Sequence, residues 1–335
     1  MSEIKLSTAG GSPEPHDTAE GGLPAVVALG GGHGLAASLS ALRRLTPKLT
    51  AIVTVADNGG SSGRIRRQFG GLPPGDLRMA LAALCGDDDW GATWSSVSQH
   101  RFGGAGDLAG HAVGNVLLAA LWEITGDPVA GLDWMGRLLQ THGRVLPMSE
   151  LPLEIVATVR GPDGVREVAG QEAVATCGDE ILDVRLLPDP PQACPAAVAA
   201  LRAADIAVLG PGSWYTSLLP HLLVPDLAAA VINGPQRRIV VLNLVGQPGE
   251  TAGFDPPRHL DVLAEHVPGL RIDHVLADSS AQPWEAGLRR SAAALGADVH
   301  FEEVSDPRLP GHHDPVRLAG ALAKLGVRGN IGAWR

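Results

Sequence analysis

The stretch "AVVALGGGHG", residues 25–34, decides the fold: a short apolar run breaks into four glycines and a histidine. The next residues, "LAASLSALRRL" (35–45), set Leu35, Leu39, Leu42 and Leu45 on one face at helical spacing. "TAIVTVADN" (50–58) follows, apolar without alternation, as a strand buried on both faces must be. Strand, helix and strand in about 35 residues predict a right-handed βαβ unit.

Outward from that unit, "PPGD" (73–76) leads into a helix over 76–85, with Asp76 suited to its N-cap. "GDDDW" reads as a solvated loop, and 109–124 and 128–142 read as helices. Residues 144–187 alternate in a Val-rich pattern broken by Gly-Pro-Asp-Gly at 161–164, which predicts a small antiparallel excursion with a hairpin. From about 196 the α/β rhythm returns. Strands are expected at 206–210, 237–245, 272–278 and 298–304, with helices between them and a last helix over 315–325. The expected architecture is α/β: a doubly wound, Rossmann-like three-layer sandwich. One domain covers 23–330, with a helical and β-hairpin insertion at 85–195 between its halves. Residues 1–22 are polar and rich in Gly, Ser and Pro, and read as a disordered tail.

Composition narrows the partners. The 335 residues carry a formal net charge of −10, against broad binding to nucleic acid or an anionic membrane. Three cysteines, Cys85, Cys177 and Cys194, form no C-x-x-C, so neither a disulfide framework nor a cysteine zinc site is expected. No apolar run reaches membrane-span length and no secretory signal opens the chain, so a cytoplasmic protein without membrane insertion is the expectation.

The chemistry gathers at strand ends, where α/β sheets bind ligands. Gly31, Gly32, His33 and Gly34 form a turn that resembles the dinucleotide fingerprint but misses its last glycine, since Leu35 stands there. In "TVADNGGSSGRIRR" (54–67), Asp57 sits where dinucleotide folds hold ribose hydroxyls. Asn58 beside it is a further candidate, and Gly59, Gly60, Ser61, Ser62 and Gly63 have the makings of an anion nest, with Arg64, Arg66 and Arg67 to add charge. Gly212, Ser213, Thr216 and Ser217 follow another strand and suit a helix N-terminus that donates to phosphate. Asn243 and Gln247 suit a base or sugar edge. His111 and Asn115, four apart at a helix start, face one way. His312, His313 and Asp314 read as a helix cap with Pro315 at its first position, rather than a metal site. No P-loop, nucleophile elbow or H-E-x-x-H occurs, and no residue stands out as a catalytic nucleophile.

Six ordered stretches, "VVALGGGHGL", "AIVTVADNGGSSGRIRR", "PPGDLRMALAAL", "GHAVGNVLLAAL", "VLGPGSWYTSLLPHLLVP" and "NLVGQPGET", strongly resemble the YvcK-type gluconeogenesis factors, of the superfamily of 2-phospho-L-lactate transferase. The resemblance implies a Rossmann-like fold that binds UDP-N-acetylglucosamine. It also implies a cytoplasmic role in cell shape and cell-wall supply under gluconeogenic growth, with a protein partner in cell-wall synthesis and room for a homodimer. Its ligand set would take in Asp76, Asn115 and His312, besides the loop residues above. Many members have Thr at His33, Asp at Asn58, Tyr at Phe254 and Arg at His312. The alternatives are a nucleotide-dependent transferase of a phospho-organic acid, the one case that calls for Mg²⁺, and a nicotinamide-dependent oxidoreductase, which the broken fingerprint disfavours.

Overall fold

The computed structural model describes residues 22–328, so the tail expected over 1–22 lies, but for Gly22, outside the described residues. The strands in chain order are β1 (Val26–Gly30), β2 (Leu49–Val53), β3 (Arg144–Pro147), β4 (Glu154–Gly161), β5 (Gly164–Ala169), β6 (Glu180–Leu187), β7 (Ile206–Leu209), β8 (Arg237–Val241), β9 (His274–Asp278) and β10 (Asp298–Glu302). The helices are α1 (Gly32–Leu42), α2 (Gly60–Phe69), α3 (Pro74–Ala83), α4 (Asp89–Gln99), α5 (Val113–Thr125), α6 (Pro128–Leu139), α7 (Gln171–Thr176), α8 (Pro195–Ala203), α9 (Leu219–Leu223, entered through a wide turn at Trp214–Leu218), α10 (Pro225–Asn233), α11 (Pro256–His266), α12 (Glu285–Leu295) and α13 (Pro315–Leu322).

Seven strands form one parallel sheet in the order β10-β9-β8-β7-β1-β2-β3. From β1 the chain winds toward β3, and from β7 it winds the other way toward β10. Right-handed crossovers therefore place the two sets of helices on opposite faces. On one face α1 packs against α3 and α13; elsewhere α8 packs on α10 and α11 on α12. The expected α1 stripe is the core face: Leu35, Leu39 and Leu42 are at most 1% exposed. Burying each contributes on the order of 1.5–3 kcal/mol. The strands β1, β7 and β8 are buried almost end to end, as a sheet covered on both sides demands. Among the described residues, no single helix is long and apolar enough to cross a membrane.

The second sheet, β5-β4-β6, is antiparallel, and its β4–β5 hairpin turns at Gly161–Gly164 as the sequence predicts. Three details differ from expectation. Residues 144–147 belong to the parallel sheet: β3 pairs with β2 and closes that edge. The "GSSGRIRRQF" segment is a helix rather than a loop, because Ser61, Ser62 and Ile65 find buried sites that outweigh poor helix propensity. "GDDDW" is not a plain loop either: Asp88 caps α4 by accepting from Gly91 N–H at 2.7 Å.

Candidate functional site

The winding direction reverses between β1 and β7, so a crevice opens beyond their carboxyl ends. The loops after β1, β7 and β8, with the segment before α13, enclose about 210 Å³ there. His33, Gly34, Gly212, Asn243, Gln247 and His312 line it, six of the candidates drawn from four distant segments. The walls meet at Gly34: a Cβ there would strike the Pro211 carbonyl oxygen and come within 2.6 Å of Gly212 Cα. Since backbone cannot rotate aside, Gly34→Ala is expected to cost about 1–3 kcal/mol, read from urea unfolding. A change below a few tenths of a kcal/mol would show that the two loops do not meet.

The loop after β7 is clamped rather than free. Asn243 accepts from Gly212 N–H through Oδ1 and donates to Gly212 O through Nδ2, both at 2.8 Å. Its amide is thereby spent on holding the crevice wall. Gln247 donates its backbone N–H to Thr251 Oγ1 at 2.8 Å, and its side chain remains available. Two buried atoms at this crevice lack any hydrogen-bond partner among the described residues, Gln247 Oε1 and His313 Nε2. The other ring nitrogen of His313 bonds the Leu242 backbone, and burial pulls the ring's pKa down to about 4. His313 is therefore neutral, with Nε2 as an acceptor. Unmet buried acceptors cost free energy until a donor arrives.

Below the crevice the carboxylate of Asp76 meets the first glycine turn. Asp76 lies in the first turn of α3 and is not its N-cap, which is Pro73. A Cβ on Gly31 would sit 2.5 Å from Asp76 Oδ2 and from Thr54 Cγ2, and 3.3 Å from Ser217 Oγ. Gly32 donates its N–H to the Asp76 carboxylate. Burial, and then the nearby Asp57 carboxylate, push Asp76 up to about 7 against the pull of that N–H and of Arg78. Asp57 itself accepts from Gly59 N–H at 2.9 Å, in the turn that starts α2. Ser62 Oγ and Asp57 Oδ2 both crowd Gly75. Gly31, Gly32, Asp57, Ser62, Asp76 and Ser217 thus form one floor.

A third group surrounds the start of α2. Gly60 opens the helix, and Ser61 Oγ lies 3.1 Å from His111 Nδ1 and 3.0 Å from Asn115 Nδ2. Asn115 Oδ1 accepts from Arg78 Nε at 2.8 Å. Arg64 donates to Ala109 O at 2.7 Å and Arg66 to Leu153 O at 2.9 Å, so both are anchored to carbonyls rather than acids.

Three candidates point elsewhere. Ser213 and Thr216 lie 2.5 Å apart by their hydroxyls, and both donate to Glu250, whose other oxygen accepts from Tyr215 N–H at 3.1 Å. The anion at this turn is the protein's own buried carboxylate. Asn58 Oδ1 accepts from Glu172 N–H at 3.0 Å and caps α7 of the small sheet. Asn58→Ala is expected to lower stability by about 1 kcal/mol, as loss of an N-cap does. Thermal melting checks this, and an unchanged midpoint would mean that α7 docks without the cap. Asp314 caps α13, accepting from Val316 and Arg317 N–H at 2.8 and 2.9 Å, as the sequence indicates.

Sequence reasoning missed Glu250 and Arg78. Both stood inside the quoted motifs, but their burial, 6% and 3% exposed, depends on elements far away in sequence. Among the described residues no cluster of three or more His, Cys, Asp or Glu could ligate a metal. The adjoining Asp57 and Asp76 match what Mg²⁺ asks of a protein when phosphate oxygens and water complete its shell.

A family profile described as 2-phospho-L-lactate transferase CofD matches residues 26–308. A Mycobacterium tuberculosis (strain ATCC 25618 / H37Rv) protein of the gluconeogenesis-factor group is 54% identical over 315 residues, 92% of each chain. The gluconeogenesis factor of Bacillus subtilis (strain 168) is 39% identical over 294 residues, 88% of this chain and 91% of that one. A crystal structure of a UPF0052-family protein from Bacillus halodurans superposes with a TM-score of 0.79 at 33% identity, covering 90% of this chain and 99% of that one.

Proposed function

This chain belongs to the CofD family, alongside the gluconeogenesis factors, and on that premise we propose that it binds a nucleotide diphosphate sugar, UDP-N-acetylglucosamine, in the β1/β7 crevice. The binding serves a regulatory role in the cytoplasm, in cell shape and cell-wall supply during gluconeogenic growth, through a protein partner. One observation carries the ligand class: the switch-point crevice holds two buried acceptors without donors, Gln247 Oε1 and His313 Nε2. A uracil N3–H, an acetamido N–H and sugar hydroxyls are the donors that such a ligand brings. The N–H groups of His33 and Gly34 in the first turn of α1 suit its diphosphate, since that of Gly32 is taken by Asp76.

Thermal melting against UDP-N-acetylglucosamine, GDP, NAD and a deazaflavin, with and without Mg²⁺, tests this. Ligand at about 100 times Kd adds about 2.7 kcal/mol. In a chain of this length that raises the midpoint by about 4 °C. The expected result is a shift with the uridine sugar; shifts with GDP or NAD alone would defeat the proposal.

A second reading rests on Asp76. Beside Asp57 it forms a carboxylate pair under the crevice, which a transferase of a phospho-organic acid would need next to its activated donor. Mg²⁺, held by the two carboxylates, would supply charge neutralisation for the diphosphate. Mg²⁺-dependent release of nucleotide from an activated donor supports this reading, and its absence with a panel of acceptor alcohols sinks it.

A further inference from the structure

The corner where α2 and α5 begin holds positive charge that the crevice does not use. Arg78 is 3% exposed, and among the described residues its side chain makes one hydrogen bond, from Nε to Asn115 Oδ1 at 2.8 Å. Its stem crosses the first turn of α5, where a Cβ on Gly114 would lie 2.9 Å from both Cγ and Cδ. The guanidinium forms no ion pair with any described carboxylate; the nearest acid, Asp76, is engaged with Gly32. A buried guanidinium whose acid acts only from a distance is costly, and an anion that reached it directly would lower that cost.

The neighbouring donors are aligned. Asn115 gives its oxygen to Arg78, so its nitrogen donates to Ser61 Oγ at 3.0 Å. Ser61 then donates to His111 Nδ1 at 3.1 Å, which leaves the ring proton on Nε2. His111 is 8% exposed, and its Nε2–H has no partner among the described residues. Arg64 and Arg101 flank the corner, each held by a carbonyl: Arg64 by Ala109 O at 2.7 Å and Arg101 by Gly110 O at 2.9 Å. Neither pairs with a described acid. The N-termini of α2, ten residues long, and α5, thirteen residues long, point the same sign of charge here. None of Ser61, Arg78, Arg101, His111 and Asn115 lines the β1/β7 crevice.

We propose that this corner is a second ligand site, separate from the crevice, which takes the dianionic phosphate group of a phosphorylated small molecule. Three guanidinium groups, an unpartnered imidazole N–H and two helix N-termini match a phosphate's two charges and several acceptor oxygens; a carboxylate would answer only part of them. Arg78 follows Asp76 by two residues on α3, and Asp76 meets the glycine turn after β1, so the two ligands would be neighbours.

Titration of the full chain with inorganic phosphate, followed by ³¹P NMR and calorimetry, tests the site. Saturable binding is expected, weakened at least tenfold by Arg78→Gln and by Arg101→Gln. The exposed Arg101 guards against misreading a folding defect in the buried variant. UDP-N-acetylglucosamine at saturation should leave phosphate bound, and Arg101→Gln should leave the affinity for the sugar nucleotide as in the parent. Absence of phosphate binding, an unchanged affinity in Arg101→Gln, or displacement of phosphate by the sugar nucleotide would each overturn the inference. Phosphate binding that depends on Arg101 in a protein that ignores UDP-N-acetylglucosamine would uphold it and sink the proposed function instead.

Discussion

Replacing Glu250 with alanine is expected to destabilise the protein by about 3–4 kcal/mol, a fall in melting midpoint of about 5 °C. The carboxylate is 6% exposed and takes three donors at once: the hydroxyls of Ser213 and Thr216 and the N–H of Tyr215. Removing it strands an N–H at the start of a buried turn and leaves a cavity beside Trp214 and Tyr215, both at most 1% exposed. Glu250→Gln keeps one acceptor oxygen, and the two hydroxyls can turn to accept from its NH₂, so about half that loss is expected. The change also uncovers a helix start. A variant that melts within about 1 kcal/mol of the parent would show that the turn holds without its internal anion.

Asp76→Asn should act in the opposite sense, and only at high pH. Burial and Asp57 raise Asp76 from 3.8 to about 7 in the folded protein. The folded state therefore keeps a proton that the unfolded chain releases between about pH 4 and pH 7. The stabilising effect of that proton is complete below about pH 4 and is lost as pH rises through 7. A shift of this size corresponds to about 4 kcal/mol, taken as an upper bound. Asparagine carries no charge to bury, so the variant should match the parent near pH 4.5 and exceed it by up to that amount at pH 8. Urea unfolding at the two values decides it. Equal stability of parent and variant at pH 8 would mean that Asp76 ionises there without strain. Mg²⁺ should narrow the difference if the two carboxylates hold it.

Legibility in the sequence followed local pattern. The first unit could be read because β1 and β2 are continuous apolar runs and α1 repeats leucine at helical spacing. The helix expected between the strands at 272–278 and 298–304 forms as α12, Glu285–Leu295, because alanine, leucine and arginine favour helix without outside help. The start of α2 could not be read so, since two serines and two glycines at its head prefer turns and become helical only where tertiary contacts bury them. Strand β3, four residues ending in Pro147, carries too little pattern to separate from the antiparallel region beside it.

The candidate site divides along the same line. Glycines announced themselves, because close approach such as that of Gly34 to Pro211 admits nothing else. Side-chain roles did not. Whether Asn243 reads a ligand or clasps Gly212 depends on a loop 31 residues away, and Asn58 reaches Glu172 across 114 residues. Hydrogen-bond partners of that kind follow from topology, so Ser213 and Thr216 could be placed at a helix start without their Glu250 being foreseen.

The central claim is that the β1/β7 crevice takes a nucleotide diphosphate sugar. Isothermal titration of UDP-N-acetylglucosamine into the full chain, into Gln247→Ala and into His312→Ala tests it most directly. Both side chains line the crevice outside the packed core, and each variant should melt within about 2 °C of the parent. The account predicts one site per chain in the parent and at least a tenfold weaker Kd in each variant. No heat in the parent, or the same Kd in both variants, would contradict it.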